Sequence, residues 1–157
     1  MTFWGPAEES DYLNDGTGCS YFIPPQSGAS SLALHRQEFG DQDAFCFELA
    51  SPVVEGVTYS VSFYVMANTE FSPELGSVEV GLSMDATTFG TLVFSGAGND
   101  TDWTYVEHSF VAPLTANYLC VQAGVDWAWN NIDNFTLGQA TVPVSATSWE
   151  SLKSYYR

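Results

Sequence analysis

Over residues 56–68 apolar and polar side chains alternate with period two, directly after a Glu-Gly turn. This is the pattern of a strand with one face toward a core. Tyr59, Val61, Phe63 and Val65 fall on one face, and Ser60, Ser62, Tyr64 and Met66 on the other. The second face mixes hydroxyls with aromatic surface, which suits a sugar-binding sheet and equally suits an ordinary wet one. Similar β-rich segments recur between separators such as Ser51-Pro52, Ser72-Pro73, residues 96–100 and Ala112-Pro113. They predict eight strands, over 31–35, 44–49, 58–66, 78–84, 90–94, 103–112, 117–123 and 131–137. Short, evenly spaced strands predict an all-β fold, here a two-sheet antiparallel jelly-roll β-sandwich over residues 1–138. The first thirty residues show no clean period and read as a loop-rich wrap with one short strand near 21–23.

Residues 139–157 break the pattern. A linker-like stretch leads to Thr147-Ser148-Trp149-Glu150, a capping box in which Thr147 covers an orphan N–H and Glu150 reaches back. Trp149, Leu152 and Tyr156 then share one helical stripe at i, i+3 and i+7. A short C-terminal helix is expected, and alone it is too short to be stable in water. Its stripe therefore docks, either on its own sandwich or on another domain or subunit.

The chain of 157 residues fits one domain with a sizeable core. Nineteen acids against three bases (Arg36, Lys153 and Arg157) give a formal net charge of −16. That field repels phosphate backbones and anionic headgroups, which excludes nucleic-acid and membrane-surface roles. It serves solubility, or cation binding by some of the carboxylates. No run of 18 apolar residues is present to span a bilayer. The N-terminus lacks the basic and apolar regions of a signal peptide, so Met1 fits a cytosolic start or a segment freed of its export signal, and the second is expected. Cys19, Cys46 and Cys120 permit at most one intrachain pair and show no metal or redox spacing. One disulfide, or three buried thiols, fits equally.

Five tryptophans and eight tyrosines offer flat faces of the kind that stack on sugars. Trp103, ahead of Val106, His108 and Phe110, reads as a plug for the sandwich end. Trp127 and Trp129 lie two apart in a polar segment read as joining two strands, and share a face if it is extended. They are the expected ligand-binding platforms, with Tyr105 and Glu107 as secondary contacts. Tyr64, Tyr118 and Gln122 also point outward and would extend a groove floor if their strands share a sheet. For a metal, the acidic clusters lie at 8–11, 38–43, 100–102 and 126–133, none with EF-hand spacing. No catalytic residues are expected: no carboxylate pair is specified for glycoside hydrolysis. Bases that could stabilise an anion are few, and no nucleophile-elbow, zincin or phosphate-loop motif occurs. His35-Arg36, at a strand end, reads as pairing with Glu38 or Asp41.

In order along the chain, Asp11-Tyr12-Leu13, residues 24–28, Ser31-Leu32-Ala33-Leu34, Phe47-Glu48-Leu49 and residues 56–63 resemble the galactose-binding-like jelly-roll domains of secreted bacterial surface proteins. Thr101-Asp102-Trp103-Thr104, Phe110-Val111-Ala112-Pro113 and residues 131–137 resemble jelly-roll carbohydrate-binding modules. The resemblance covers residues 11–137 and leaves out the C-terminal segment. It implies a non-catalytic extracellular or cell-surface module that binds a polysaccharide or other glycan, with structural calcium. Asp133 matches a ligand of the family's final strand, and Asp11 takes a place by analogy of order. It transfers no individual sugar-binding aromatic. The alternative is a structural or adhesive module that assembles with itself or with other surface proteins.

Overall fold

The computed structural model describes residues 2–4, 11–14, 23–28, 30–36, 42–69, 75–98, 102–124 and 128–140. These residues form ten strands: β1 (Thr2–Trp4), β2 (Asp11–Asn14), β3 (Ser30–Arg36), β4 (Ala44–Val53), β5 (Thr58–Ala67), β6 (Ser77–Ser83), β7 (Thr91–Ala97), β8 (Thr104–Val111), β9 (Ala116–Ala123) and β10 (Ala128–Gln139). They make two five-stranded antiparallel sheets, a front sheet in the order β1-β4-β9-β6-β7 and a back sheet in the order β2-β3-β10-β5-β8. Among the described residues no helix is long and apolar enough to cross a membrane.

The alternation that predicts β5 is realised residue by residue. Val61, Phe63 and Val65 are fully buried while Ser62, Tyr64 and Met66 are half-buried on the outer side. Between the sheets Phe63 stacks on Phe135 (centroids 4.9 Å apart, planes 6° apart) and meets Phe94 edge-on at 5.6 Å. Leu34, Phe45, Val80, Leu82, Leu119 and Val121 complete the centre of the core. Asn130 is also fully buried, and its Nδ2 donates to the Ser77 carbonyl across the gap between the sheets (3.2 Å). Its amide lies so close to Gly76 that a Cβ there would come within 2.4 Å of it.

All eight predicted strands are present, several with longer bounds. β4 runs on through Pro52, because its register to β9 breaks between Glu48 and Val53, where the missing proline N–H breaks no regular ladder. Among the described residues ahead of β3 are two short strands, β1 and β2, and Ile23 lies in neither. The remainder of the strand expected near 21–23 is outside the described residues. Trp129 is not in a connection: it belongs to β10, whose start is hidden from a hydrophobic-pattern reading by the buried polar side chain of Asn130. Trp127, Cys19, Glu38, Asp41 and the expected helix at 147–157 all lie outside the described residues. His35 donates its backbone N–H to the buried carboxylate of Asp43 (2.8 Å).

Candidate functional site

Each sheet has an outer face, and the predicted site residues divide between them. On the back sheet one cross-strand row holds Asp133, Tyr64 and Tyr105. The Tyr64 and Tyr105 rings tilt together at 5.2 Å, and Tyr105 is 53% exposed. Glu107, two residues along β8, is exposed on the same side. The next row holds Asp11, Ala33, Asn131 and Met66. Beyond it His35 and Trp129 pair across β3 and β10 with their rings stacked at 4.2 Å. Trp129 thus shares the face with Tyr105 and Glu107, but it stands two rows away, about 13 Å along the strands, and His35 occupies one side of its ring.

A strap formed by residues 23–28 crosses this face. Where β10 bulges opposite Phe63, between the Asp133 and Thr136 pairings, Asn134 adopts a left-handed backbone (φ 53°), a conformation asparagine tolerates better than most residues. Asp133 accepts the Ser27 backbone N–H at 3.0 Å and the Asn134 N–H at 2.7 Å. The Asn134 side chain donates to Gln26 Oε1 (2.6 Å) and exchanges hydrogen bonds with Ser27 Oγ. At the other end Trp103 donates its indole N–H to the Pro24 carbonyl (3.1 Å), so Trp103 holds this strap. β5 lies between β10 and β8 in the sheet, so the strap passes over its outer side. Ser31 and Asn131 point outward by register yet are only 4% and 1% exposed.

On the front sheet the middle row is Cys46, Cys120 and Gly81, and the two cysteines are joined by a disulfide with Cα atoms 4.0 Å apart. The loop from Met84 to Gly90 folds back onto this row. A Cβ at Gly81 would lie 2.5 Å from the Phe89 carbonyl oxygen, so glycine is what lets the loop approach. The Thr88 carbonyl oxygen sits 3.4 Å from Cys120 Sγ, a packing contact, since an oxidised sulfur has no proton to donate. Asp85 accepts the Thr87 N–H and hydroxyl (2.7 and 2.8 Å), and these bonds hold its carboxyl below the usual carboxylate range.

Two polar rows flank the disulfide. One runs Ala44, Gln122, Glu79 and Ser95, with Trp4 at the register position beside Ala44. In it Gln122 Nε2 donates to Glu79 Oε2 at 2.7 Å. The other runs Glu48, Tyr118 and Ser83. Tyr118 and Gln122 therefore do not extend the Tyr64–Tyr105 surface: the shared sheet this required is absent, since β9 lies in the front sheet and β5 and β8 in the back. Glu79 and Trp4 were not singled out from sequence. The outward position of Glu79 is legible in the alternation Val78-Glu79-Val80, whereas Trp4 lies on a three-residue strand in an unpatterned segment.

As for a metal, Asp133 and Asp11 both take outer-face positions on the back sheet. They are separated by two strands and one row, which places their Cα atoms about 12 Å apart. Among the described residues no three acidic, histidine or cysteine side chains converge.

No protein-family model matches the chain. No curated protein matches it either. Solved structures do. A family 16 carbohydrate-binding module matches 74% of this chain and 81% of its own, at 20% identity and a TM-score of 0.50. A xylan-binding domain from Paenibacillus barcinonensis matches 90% of this chain and 87% of its own, at 12% identity and a TM-score of 0.55. A family 61 module in complex with β-1,4-galactotriose matches 88% and 87%, at 13% identity and a TM-score of 0.52. At these identities the likeness is one of fold, and the fold is that of carbohydrate-binding modules.

Proposed function

We propose that this chain is a non-catalytic carbohydrate-binding module whose ligand lies on the Gln122–Glu79 row of the front sheet's outer face. The observation that carries this reading is the row of Gln122 and Glu79, hydrogen-bonded side by side on the outer face of the front sheet, with Tyr118 four residues along β9 beyond the disulfide row that the Met84–Gly90 loop covers. An amide and a carboxylate side by side present both donors and acceptors to the hydroxyls of a sugar. The strap over the back sheet and the His35–Trp129 stack weigh against an open platform there. A disulfide between central strands supports a secreted or cell-surface location, where such bonds persist.

The test is affinity electrophoresis and calorimetry against a panel that includes xylan and β-1,4-galactan. Glu79→Ala and Gln122→Ala should each weaken binding about 10- to 100-fold, the range for a hydrogen bond involving a charged group. Tyr105→Ala and Trp129→Ala should change it less than about twofold. Loss on Tyr105→Ala with Glu79→Ala silent moves the site to the back sheet. No binding to any polysaccharide ends the sugar reading.

Structural calcium is a separate part of the proposal. Its support is the gathering of Asp133, Asn134, Gln26 and Ser27 oxygens on the β10 bulge. A calcium shell takes six to eight oxygens, and the described residues do not complete one, since both Asp133 oxygens already accept backbone N–H groups. An ion held at a thousand times its Kd would add about 4 kcal/mol to native stability. Chelator should then lower the melting midpoint by several degrees, and an unmoved midpoint rejects the metal.

A further inference from the structure

We propose that the C-terminal segment, residues 147–157, docks into an apolar groove on the side of its own sandwich where the described strands of both sheets end. The inference is independent of whether the front face takes sugar. β1 pairs with β4 only over Ala44, Phe45 and Cys46, and β3 pairs with β10 only as far as Ile132. Among the described residues the lower halves of β4 and β10 therefore lack an outer neighbour on the same side of the molecule. Between them open two adjoining cavities of about 250 and 220 Å³ that share Phe47 and Phe135. Leu32 and Ile132 line the first, Leu49 and Leu137 the second. Phe47, Leu49, Phe135 and Leu137 are only half-buried there.

Three properties of the segment fit this groove. Its stripe of Trp149, Leu152 and Tyr156 is apolar and sequence-capped as a helix. Eleven residues of helix measure about 16 Å, and the groove floor from Ile132 to Leu137 measures about 17 Å of strand. The chain also leaves β10 beside the groove: Ala140 N–H bonds the Thr58 carbonyl at 3.1 Å, and the nine residues to Trp149 reach up to about 30 Å. Finally, Lys153 and Arg157 are two of the three bases in a chain of net charge −16, and they flank the stripe four residues apart. The groove rim offers them Asp133 at one end and exposed Glu48 at the other.

Hydrogen exchange on the full chain tests this. Amides within 147–157 should exchange at least tenfold more slowly than in a free peptide of the same sequence, at a rate independent of protein concentration. Leu137→Asp in the groove, or Leu152→Asp in the segment, should abolish that protection while the amides of β5 and β9 stay protected. Leu152→Asp leaves the sandwich untouched, so it remains informative if Leu137→Asp fails to fold. Exchange at the free rate in the parent chain overturns the proposal. So does protection that survives both substitutions, which would put the segment elsewhere. Protection that rises with concentration alongside a sedimenting dimer overturns self-docking in favour of a second copy.

Discussion

Replacing both Cys46 and Cys120 by alanine should lower the stability of this domain by about 4 kcal/mol, the chain-entropy value for a loop of this length. The bond closes a loop of 74 residues, yet in the folded state it joins positions that already face each other across β4 and β9. Its effect therefore falls mainly on the unfolded chain, which gains freedom when the link is removed. Both cysteines are fully buried, and the alanines that replace them are apolar, so the folded state changes little. At about 2–4 °C per kcal/mol for a domain near this size, the melting midpoint should fall by about 10 °C. Urea unfolding should show a lower midpoint and a steeper denaturant dependence, because the unlinked chain exposes more surface. Identical midpoints for the parent and the double variant would contradict this account.

Phe63→Ala should be the most damaging single truncation in the core, at about 3–5 kcal/mol. Phe63 is fully buried and its ring is the common neighbour of Phe135 and Phe94, one from each sheet. Removing it opens a cavity that neither neighbour can fill. Phe135 sits on the bulge held by Asp133 and Asn134, and Phe94 is fixed in the β6–β7 ladder. Tyr64→Ala, one residue along on the outer face, should fall within about 1 kcal/mol of the parent. A Phe63→Ala midpoint in thermal or urea unfolding no lower than that of Tyr64→Ala would show that the aromatic cluster is not the centre of the core. Natural domains have about 5–15 kcal/mol in hand, so combining this change with loss of the disulfide should leave little folded protein.

How far such features could be read in advance depended on whether they are local. The period-two runs of β5 and β6 reveal their faces directly. β1 and β2 do not, because three or four residues cannot establish a period. In β10 the expected strand began three residues late, at Asn131, because buried Asn130 looks like loop composition. Cysteine pairing stayed open for a different reason: Cys46 meets Cys120 only because β4 lies beside β9, and strand order is not written in either segment. The same non-locality divided the outward residues, keeping Tyr64, Tyr105 and Glu107 together while sending Tyr118 and Gln122 to the opposite face. Glu79 and Gln122 become a pair only in three dimensions.

The position of β10 bears on how the domain is made. It is the last strand among the described residues, but it lies in the interior of the back sheet between β3 and β5. Until residues 128–139 have been made, no strand is present to join β3 to the β5–β8 ladder within the back sheet. Closure then depends on contacts between distant segments, which form slowly. The front sheet, by contrast, needs nothing beyond Ala123, so the two layers of the sandwich become complete at different points along the chain, and the back layer is the one that stays open longer.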